Sequence, residues 1–396
     1  MKLTNEDILH LRAINIRKDN KNFIVEDCET QEFYEMPRVC IDALELIKTG
    51  KSLGDIETRL IKEYPNEEIN MVDFSNQLID FDLIEFINDK KIERKINETN
   101  SLGFLWIPPI IGKAFFNRFT IFFYCLLLFV NLFIFVFNPS VFPHYKDLFI
   151  FDMMSLNILA LGMLSLVLVL IHEFGHILAI RSFHLPTRLE IGHRLYLIVF
   201  ETDLSLAWKL PPEKRNILYL AGVFFDNVIL FLALLIKLYV PLSSDLLSGL
   251  VGLIIFDSVV RIIYQACIYM KTDFYFLFQN MTGSYNIMEN GIYTLKALFS
   301  RSKVKEDLEL FEGEEQIVKW YSIFYIVGVA ITIGLLFVYY LPQLIYMGKA
   351  TLPGINNSIG DAHFWDAVIF ILQIVVMLGF LLYSFYKSYR ERIVEN

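Results

Sequence analysis

Six long apolar segments constrain this chain more than any other feature of its sequence. They lie near residues 115–137, 155–181, 216–240, 247–270, 320–341 and 366–386. An α-helix needs about 20 apolar residues to cross the hydrocarbon core of a bilayer, so each segment is long enough to span it. The hydrophobic fraction of 55% and the mean hydropathy of +0.47 agree with this interpretation. The sequence therefore predicts a polytopic α-helical membrane protein with about six transmembrane helices rather than a soluble globule.

Lysine and arginine are unevenly distributed among the loops between these segments. If the N-terminal region is placed inside, the outer loops contain only Lys146 and Lys349, while the inner loops hold many cations. Because cytoplasmic loops carry an excess of lysine and arginine, both termini are predicted to be cytosolic in a multi-pass protein of a bacterial-type cell membrane. The polar first 20 residues lack an apolar core, so no cleavable signal peptide is expected.

Composition argues against two other classes of site. The formal net charge of −9 shows no excess of positive charge of the kind that binds nucleic acid. The four cysteines, Cys28, Cys40, Cys125 and Cys267, are scattered along the chain. Their spacing suggests neither a disulfide framework nor a cysteine-based zinc site.

The second apolar segment contains ionisable residues in its interior. It reads "LVLVLIHEFGHILAI" over residues 166–180 and includes His172, Glu173 and His176. Each ionisable residue at membrane depth costs about 2.5–3.5 kcal/mol, which makes a functional site the default interpretation. Histidines four residues apart lie on one face of a helix and can bind one zinc ion. Glu173 is then the predicted general base, which takes a proton from water and passes it to the leaving amine. The alternative is a structural hydrogen-bond cluster between helices.

A zinc site of this kind needs a third protein ligand and leaves one position open. The candidates near membrane depth are Asp226, Asp257 and Asp273. Asp257 forms an i,i+4 pair with Arg261, which favours a structural role for it. Residue spacing alone does not rank Asp226 against Asp273. Gly175 is expected to leave room for substrate beside the metal.

Two further regions have recognisable patterns. The stretch "LEIGHRLYLIVFETDLSLAW" (189–208) alternates apolar and polar residues, which predicts a membrane-associated β-hairpin buried against protein.

The pattern of residues 1–97 predicts a small α+β, winged-helix-like domain. Two short strands are expected in "NFIVEDCETQEFYEM" (22–36), and helices in 37–50, 52–65 and 70–86.

The predicted domain boundaries follow from these patterns and from the charged stretch "DKKIERKINETNS" (89–101). We expect a cytosolic domain at 1–97, a linker at 98–113, and a metalloprotease core with HExxH at 114–300. A C-terminal loop and two further transmembrane helices follow at 301–396.

The chain resembles the site-2 protease class of intramembrane zinc metalloproteases, in the peptide zinc metalloprotease branch. Besides HExxH, the resemblance is carried by "ETDLSLAWKLPPEKRN" (201–216), "LAGVFFDN" (220–227) and "DFYFLFQNMTGSYNI" (273–287). The resemblance implies that Asp273 is the third zinc ligand. Asp203 and Asn227, within these stretches, are candidate substrate-positioning residues.

Three positions depart from the family pattern. Phe274 stands where the family has glycine, and Val223 stands where it has proline. The usual Asn-Pro pair before the aspartate is replaced by "QACIYMKT" (265–272). In the family, that pair helps to unwind the helix and to position the substrate strand.

The N-terminal domain resembles the PqqD-like peptide-recognition fold. The segments "ALELIKTGKSLGDIETRLIKEY" (43–64) and "FDLIEF" (81–86) carry this resemblance. It implies capture of leader peptides by addition of a strand to a sheet edge, for which 22–36 is the expected candidate. The alternative is an inert cytosolic cap.

The function predicted from the sequence is that of a zinc-dependent, membrane-embedded metalloendopeptidase. Its cofactor is Zn²⁺, and its partners are the lipid bilayer and a peptide precursor bound by the N-terminal domain, with no nucleic acid. Cleavage removes a leader from, or matures, a ribosomally made modified peptide. One alternative is regulated intramembrane proteolysis of a membrane-anchored signalling protein. Another is a non-enzymatic export or immunity component, which would not need Glu173.

Overall fold

The computed structural model describes residues 3–94, 103–151, 153–194, 197–299 and 313–395. It divides into two compact units. The first comprises Met1–Ser101 with Trp208–Pro212, and the second comprises Leu102–Ala207 with Glu213–Asn396. Parts of the predicted linker and of the loop after residue 300 lie outside the described residues.

In the part of the first unit that the structure describes, six short strands form two antiparallel sheets. The strands are β1 (Leu9–Leu11), β2 (Ile14–Asp19), β3 (Asn22–Asp27), β4 (Phe33–Met36), β5 (Ile84–Ile87) and β6 (Lys90–Lys91). One sheet has the order β1-β5-β6 and the other has the order β2-β3-β4. The prediction of two strands matches β3 and β4, which lie in 22–36, and it missed β1, β2, β5 and β6. Of these four, β1 and β6 have three and two residues and are too short to show an alternating pattern.

The strand order shows which strand of the predicted 22–36 segment has an open sheet edge: β4 has one, and β3 does not. β3, the first strand of the 22–36 segment, pairs with β2 on one side and with β4 on the other. Its backbone groups are therefore already used by both neighbours. Within the described residues of this sheet, the open edges belong to β2 and β4.

Three amphipathic helices complete the first unit. They are α1 (Arg38–Ile47), α2 (Leu53–Glu63) and α3 (Met71–Asp80), and they fall within the three predicted segments. The third predicted helix, 70–86, was too long, because the chain turns through the left-handed region at Asp82, with a φ of 56°, and its last residues belong to β5. Ser52 and Asn70 cap α2 and α3 by accepting hydrogen bonds from first-turn backbone N–H groups. Each helix buries one apolar face against the strands. The buried residues of this core, from strands and helices, include Leu9, Val25, Ile41, Leu44, Ile56, Leu60 and Leu78.

Among the described residues of the second unit, six helices are long and apolar enough to cross a membrane. They are α5 (Arg118–Phe137), α6 (Met154–Ser182), α7 (Pro212–Tyr239), α8 (Asp245–Gln265), α11 (Glu315–Leu335) and α13 (Ala362–Glu395). The prediction of six long apolar helices is confirmed. The most apolar window of α7 is 61% buried, against 11–22% for the other five, so α7 is the central helix.

Shorter helices connect or flank these six. They are α4 (Pro109–Phe115), α9 (Asp273–Thr282), α10 (Ile287–Phe299) and α12 (Leu341–Thr351). Between α6 and α7 lies the predicted hairpin, formed by β7 (Leu189–Arg194) and β8 (Leu197–Thr202). Leu189 pairs with Thr202 at its open end. β8 contacts α6, and α13 contacts both strands. This packing brings the end of β8 to the HExxH segment.

Candidate metal centre

The two histidines of α6 point at α7. The imidazole Nδ1 of His172 lies 2.7 Å from Asp226 Oδ2, and the imidazole Nδ1 of His176 lies 2.8 Å from the backbone oxygen of Leu218. A carbonyl or an ionised carboxylate only accepts hydrogen bonds, so both Nδ1 atoms must be the donors. In their neutral forms, both imidazoles then present an unprotonated Nε2.

Asp273, the first residue of α9, meets these two Nε2 atoms. Its Oδ2 lies 3.0 Å from Nε2 of His172 and 3.3 Å from Nε2 of His176, and the two Nε2 atoms are 3.3 Å apart. Three atoms with lone pairs therefore lie close together in a buried place. Their mutual repulsion is relieved when a cation binds between them. A tetrahedral zinc ion with ligand distances of about 2.0–2.1 Å has ligands separated by about 3.3 Å. The donor set and its spacing both fit zinc.

Gly222 of α7 packs directly against the converging nitrogens. A Cβ atom at this position would lie 2.3 Å from Nε2 of His172 and 2.5 Å from Nε2 of His176. Real carbon contacts are never so short, so only glycine fits here without a shift. Sequence reasoning identified the Ala-Gly motif but did not assign Gly222 this role.

The position of Asp273 is set by the end of α8. The backbone N–H of Asp273 donates to Gln265 Oε1 at 3.0 Å, and the Thr272 hydroxyl donates to the Gln265 carbonyl at 2.8 Å. Lys271 has a φ of 52°, so the chain turns through the left-handed region just before α9. Gln265 opens the segment that replaces the family's Asn-Pro pair, and sequence reasoning did not single it out.

Burial alone would raise the pKa of the Asp273 carboxyl. When the His176 and His172 imidazoles are positively charged, with a hydrogen on Nε2 in place of a metal ion, they outweigh burial and hold that pKa below its usual range. A cation bound between the three atoms would act on Asp273 in the same direction. The ionised carboxylate is also the form that binds a metal.

Glu173 is oriented by the hairpin. Its Oε2 accepts hydrogen bonds from the backbone N–H and from the hydroxyl of Thr202, each at 2.8 Å. Glu173 is 7% exposed. Thr202 lies at the end of β8, within the 201–216 stretch, and no separate pattern in the sequence indicates this contact.

The two remaining aspartates of the candidate set lie elsewhere. Asp226 contacts His172 at Nδ1, the ring nitrogen that points away from the converging atoms, and its Oδ1 lies 3.5 Å from Arg261 Nε. Asp257 forms the predicted ion pair with Arg261 and also accepts a hydrogen bond from the Ser165 hydroxyl. Of the three candidates, Asp273 alone brings an oxygen to both Nε2 atoms.

Asp203 and Asn227, the predicted substrate-positioning residues, have other contacts. Asp203 accepts a hydrogen bond from the Ser205 N–H at 3.0 Å and lies 3.2 Å from Arg188 Nε. The Asn227 side chain accepts from Asn131 at 2.6 Å and donates to the Tyr124 carbonyl at 3.2 Å, so its amide joins α7 to α5. These contacts favour a structural role for Asn227, and the substrate-positioning role of both residues stays a prediction.

The expectation that Gly175 leaves room for substrate was wrong. A Cβ at Gly175 would lie 2.8 Å from the Ala221 carbonyl oxygen and 3.1 Å from Phe225. Gly175 therefore faces α7 and allows α6 and α7 to approach closely. This close approach places Gly222 next to the histidines.

Comparison with known proteins gives no matching family model, no matching curated protein and no matching solved structure. The resemblances carried by the sequence motifs therefore stay predictions. Function is inferred below from the geometry of the described residues.

Proposed function

We propose that this protein is a zinc-dependent, membrane-embedded metalloendopeptidase that cleaves a peptide precursor. The observation that carries the proposal is the convergence of His172, His176 and Asp273. The Nδ1 atom of each histidine contacts α7. The two Nε2 atoms and Asp273 Oδ2 then lie 3.0–3.3 Å from one another. A carboxylate, that of Glu173, immediately follows the first of these ligands in the chain.

The surface of the six long helices supports a membrane location. Many large apolar side chains on them are exposed, with Phe119 at 85%, Ile331 at 56% and Leu382 at 68%. Exposed apolar surface on this scale marks a lipid or protein interface. Six crossings, an even number, would leave both termini on one side, and the distribution of lysine and arginine makes that side the cytosol.

The chemistry assigned to the site is hydrolysis of a peptide bond. When bound, zinc supplies Lewis acidity for the scissile carbonyl and for the attacking water, with one position left open by three protein ligands. Glu173 accepts a proton from the attacking water and delivers it to the leaving nitrogen. Thr202 holds one oxygen of Glu173, which fixes the direction of the carboxylate.

The first unit supports a peptide substrate. Its three helices are followed by the β5–β6 hairpin, an arrangement similar to a winged helix, and its second sheet has open edges at β2 and β4. An extended peptide can add to such an edge through backbone hydrogen bonds, with pockets for alternate side chains giving specificity. This unit is therefore assigned to capture of the precursor.

A matched pair of variants tests the proposal. The full-length protein is purified in detergent, its zinc content is measured, and it is incubated with internally quenched peptides of mixed sequence. We expect one zinc per chain, cleavage by the wild type and by Glu213→Gln, and no cleavage by Glu173→Gln. Glu213 is an exposed residue of α7, so it controls for the chemical change itself. A zinc-loaded wild type that cleaves nothing would favour the export or immunity alternative. Cleavage confined to membrane-spanning peptides would favour the signalling alternative.

A further inference from the structure

We propose that Asp226 and Arg261 form a positioning pair that fixes His172 for metal binding. The proposal rests on the metal site proposed above. Asp226 lies in the interior of α7, where it is 3% exposed. One of its oxygens is 2.7 Å from His172 Nδ1, and the other is 3.5 Å from Arg261 Nε. Neither Asp226 nor Arg261 reaches the converging atoms, so both would act through the histidine.

The first step of the argument is the state of the imidazole. A carboxylate at Nδ1 holds the hydrogen on that nitrogen and leaves Nε2 free to bind a metal. It also fixes the ring plane and strengthens Nε2 as a donor. His176 receives only a neutral backbone carbonyl at the same position. The two ligands therefore differ, and His172 is the one whose partner carries a charge.

The second step is the cost of placing Asp226 in an apolar helix. A buried carboxylate without a nearby cation is strongly disfavoured, and removal of one partner of a buried ion pair is destabilising. Arg261 supplies the nearby positive charge, and it is itself paired with Asp257.

The third step is the placement of these groups on the helices. His172 and Ser165 belong to α6, Asp226 belongs to α7, and Asp257 and Arg261 belong to α8. Contacts run from Ser165 to Asp257, then through Arg261 and Asp226 to His172. The network therefore links three of the six long helices to the metal site. On this proposal, the Asp257–Arg261 ion pair occurs in an apolar segment because it provides the positive charge beside Asp226.

Zinc affinity tests the proposal without any measurement of catalysis. The full-length protein is stripped of metal in detergent and titrated with zinc against a chromophoric chelator. We expect Asp226→Ala to raise the zinc Kd about 10–100-fold, the range found for outer partners of histidine ligands. The control is Asn131→Ala, which removes a buried contact to the neighbouring residue Asn227. This control should leave the Kd unchanged.

A second pair of variants separates positioning from folding. Asp226→Asn keeps the size of the side chain, but its amide can donate to Nδ1 and so favour the tautomer with hydrogen on Nε2. We expect the same direction of change in zinc Kd, and an altered visible spectrum of the cobalt-substituted protein. The double variant Arg261→Met with Asp257→Asn removes one positive and one negative charge together. It should raise the zinc Kd by less than Asp226→Ala does.

The outcomes distinguish this inference from the proposed function. A wild type that takes up no zinc would overturn both. A wild type with one zinc, alongside Asp226→Ala and Asp226→Asn with unchanged zinc Kd, would overturn the positioning role and leave the metal site standing. An equal loss of affinity in Asn131→Ala would show that disturbed helix packing, rather than the carboxylate, weakens zinc binding.

Discussion

The Asp273 carboxylate lies 3.0 Å from Nε2 of His172, across 101 residues of sequence. The contact joins the start of α9 to the middle of α6. Both atoms are acceptors when the imidazole is neutral with its hydrogen on Nδ1, so the pair is stable only with a cation or an added proton between them. Removal of either partner is therefore the most direct test of the metal site.

Asp273→Ala is expected to abolish stoichiometric zinc binding. It removes one of the three proposed ligands, so its effect on the zinc Kd should exceed the roughly 10–100-fold change expected for an outer partner such as Asp226. Zinc content by elemental analysis and chelator competition measures both. The control is Asp245→Ala, an exposed residue in the first turn of α8. Full zinc in Asp273→Ala together with loss of zinc in Asp226→Ala would reverse the assignment of the two aspartates.

Glu173→Gln is expected to bind zinc normally and to lose peptide cleavage. The amide can still accept a hydrogen bond from Thr202, so the local structure is kept, but it cannot accept a proton from water. General base catalysis contributes about 10²–10⁴-fold, and the rate should fall by at least that factor. Initial rates on a quenched peptide, with zinc content measured on the same sample, check this expectation. A near wild-type rate would remove Glu173 from the mechanism.

Gly222→Ala is expected to weaken zinc binding strongly. The added methyl group would fall 2.3 Å from Nε2 of His172, so either the histidines or α7 must move. Overpacking of this kind costs about 1–3 kcal/mol and misplaces the ligands. The matched control is Gly162→Ala in α6, where a Cβ meets nothing within 4 Å. A zinc Kd and a melting temperature unchanged in Gly222→Ala would contradict the close packing described here.

The parts of the site that could be predicted from the sequence are local. His172, Glu173 and His176 lie within five residues on one helix, so helical spacing alone places the two histidines together. Asp273 is 97 residues beyond His176, and its approach depends on how α7, α8 and α9 pack. Residue spacing therefore could not distinguish Asp273 from Asp226 as the third zinc ligand, and only the family resemblance favoured Asp273.

Other parts of the site leave no pattern in the sequence. Gln265 and Thr202 are single polar residues at the ends of elements, and each acts on a group in another element. Neither has a periodicity or a motif of its own to reveal that contact. The same limit applies to β1, which has three residues and whose partner β5 lies more than 70 residues away.

Thr202→Val is expected to slow peptide cleavage while leaving zinc content unchanged. The substitution removes the hydroxyl hydrogen bond to Glu173 and keeps the backbone one. A hydrogen bond to a charged group contributes about 1.5–3 kcal/mol, so a fall in kcat/KM of about 10-fold or more is expected. Thr187→Val is the matched control, because it removes a buried hydroxyl that donates to the Asp203 carbonyl at 2.6 Å. Equal rates for Thr202→Val and wild type would show that the hairpin does not orient Glu173.

Deletion of residues 1–97 is expected to impair capture of the precursor and to spare the metal site. Strand addition at β2 or β4 would hold the precursor near the site, at an effective concentration on the order of millimolar through a short linker. Without that unit, the KM for a precursor cleaved by the full-length protein should rise at least 10-fold. Zinc content, and the rate on a short peptide spanning only the scissile bond, should stay the same. The comparison is made at low precursor concentration, where capture limits the rate. Equal processing by both forms of the protein would show that residues 1–97 are an inert cap.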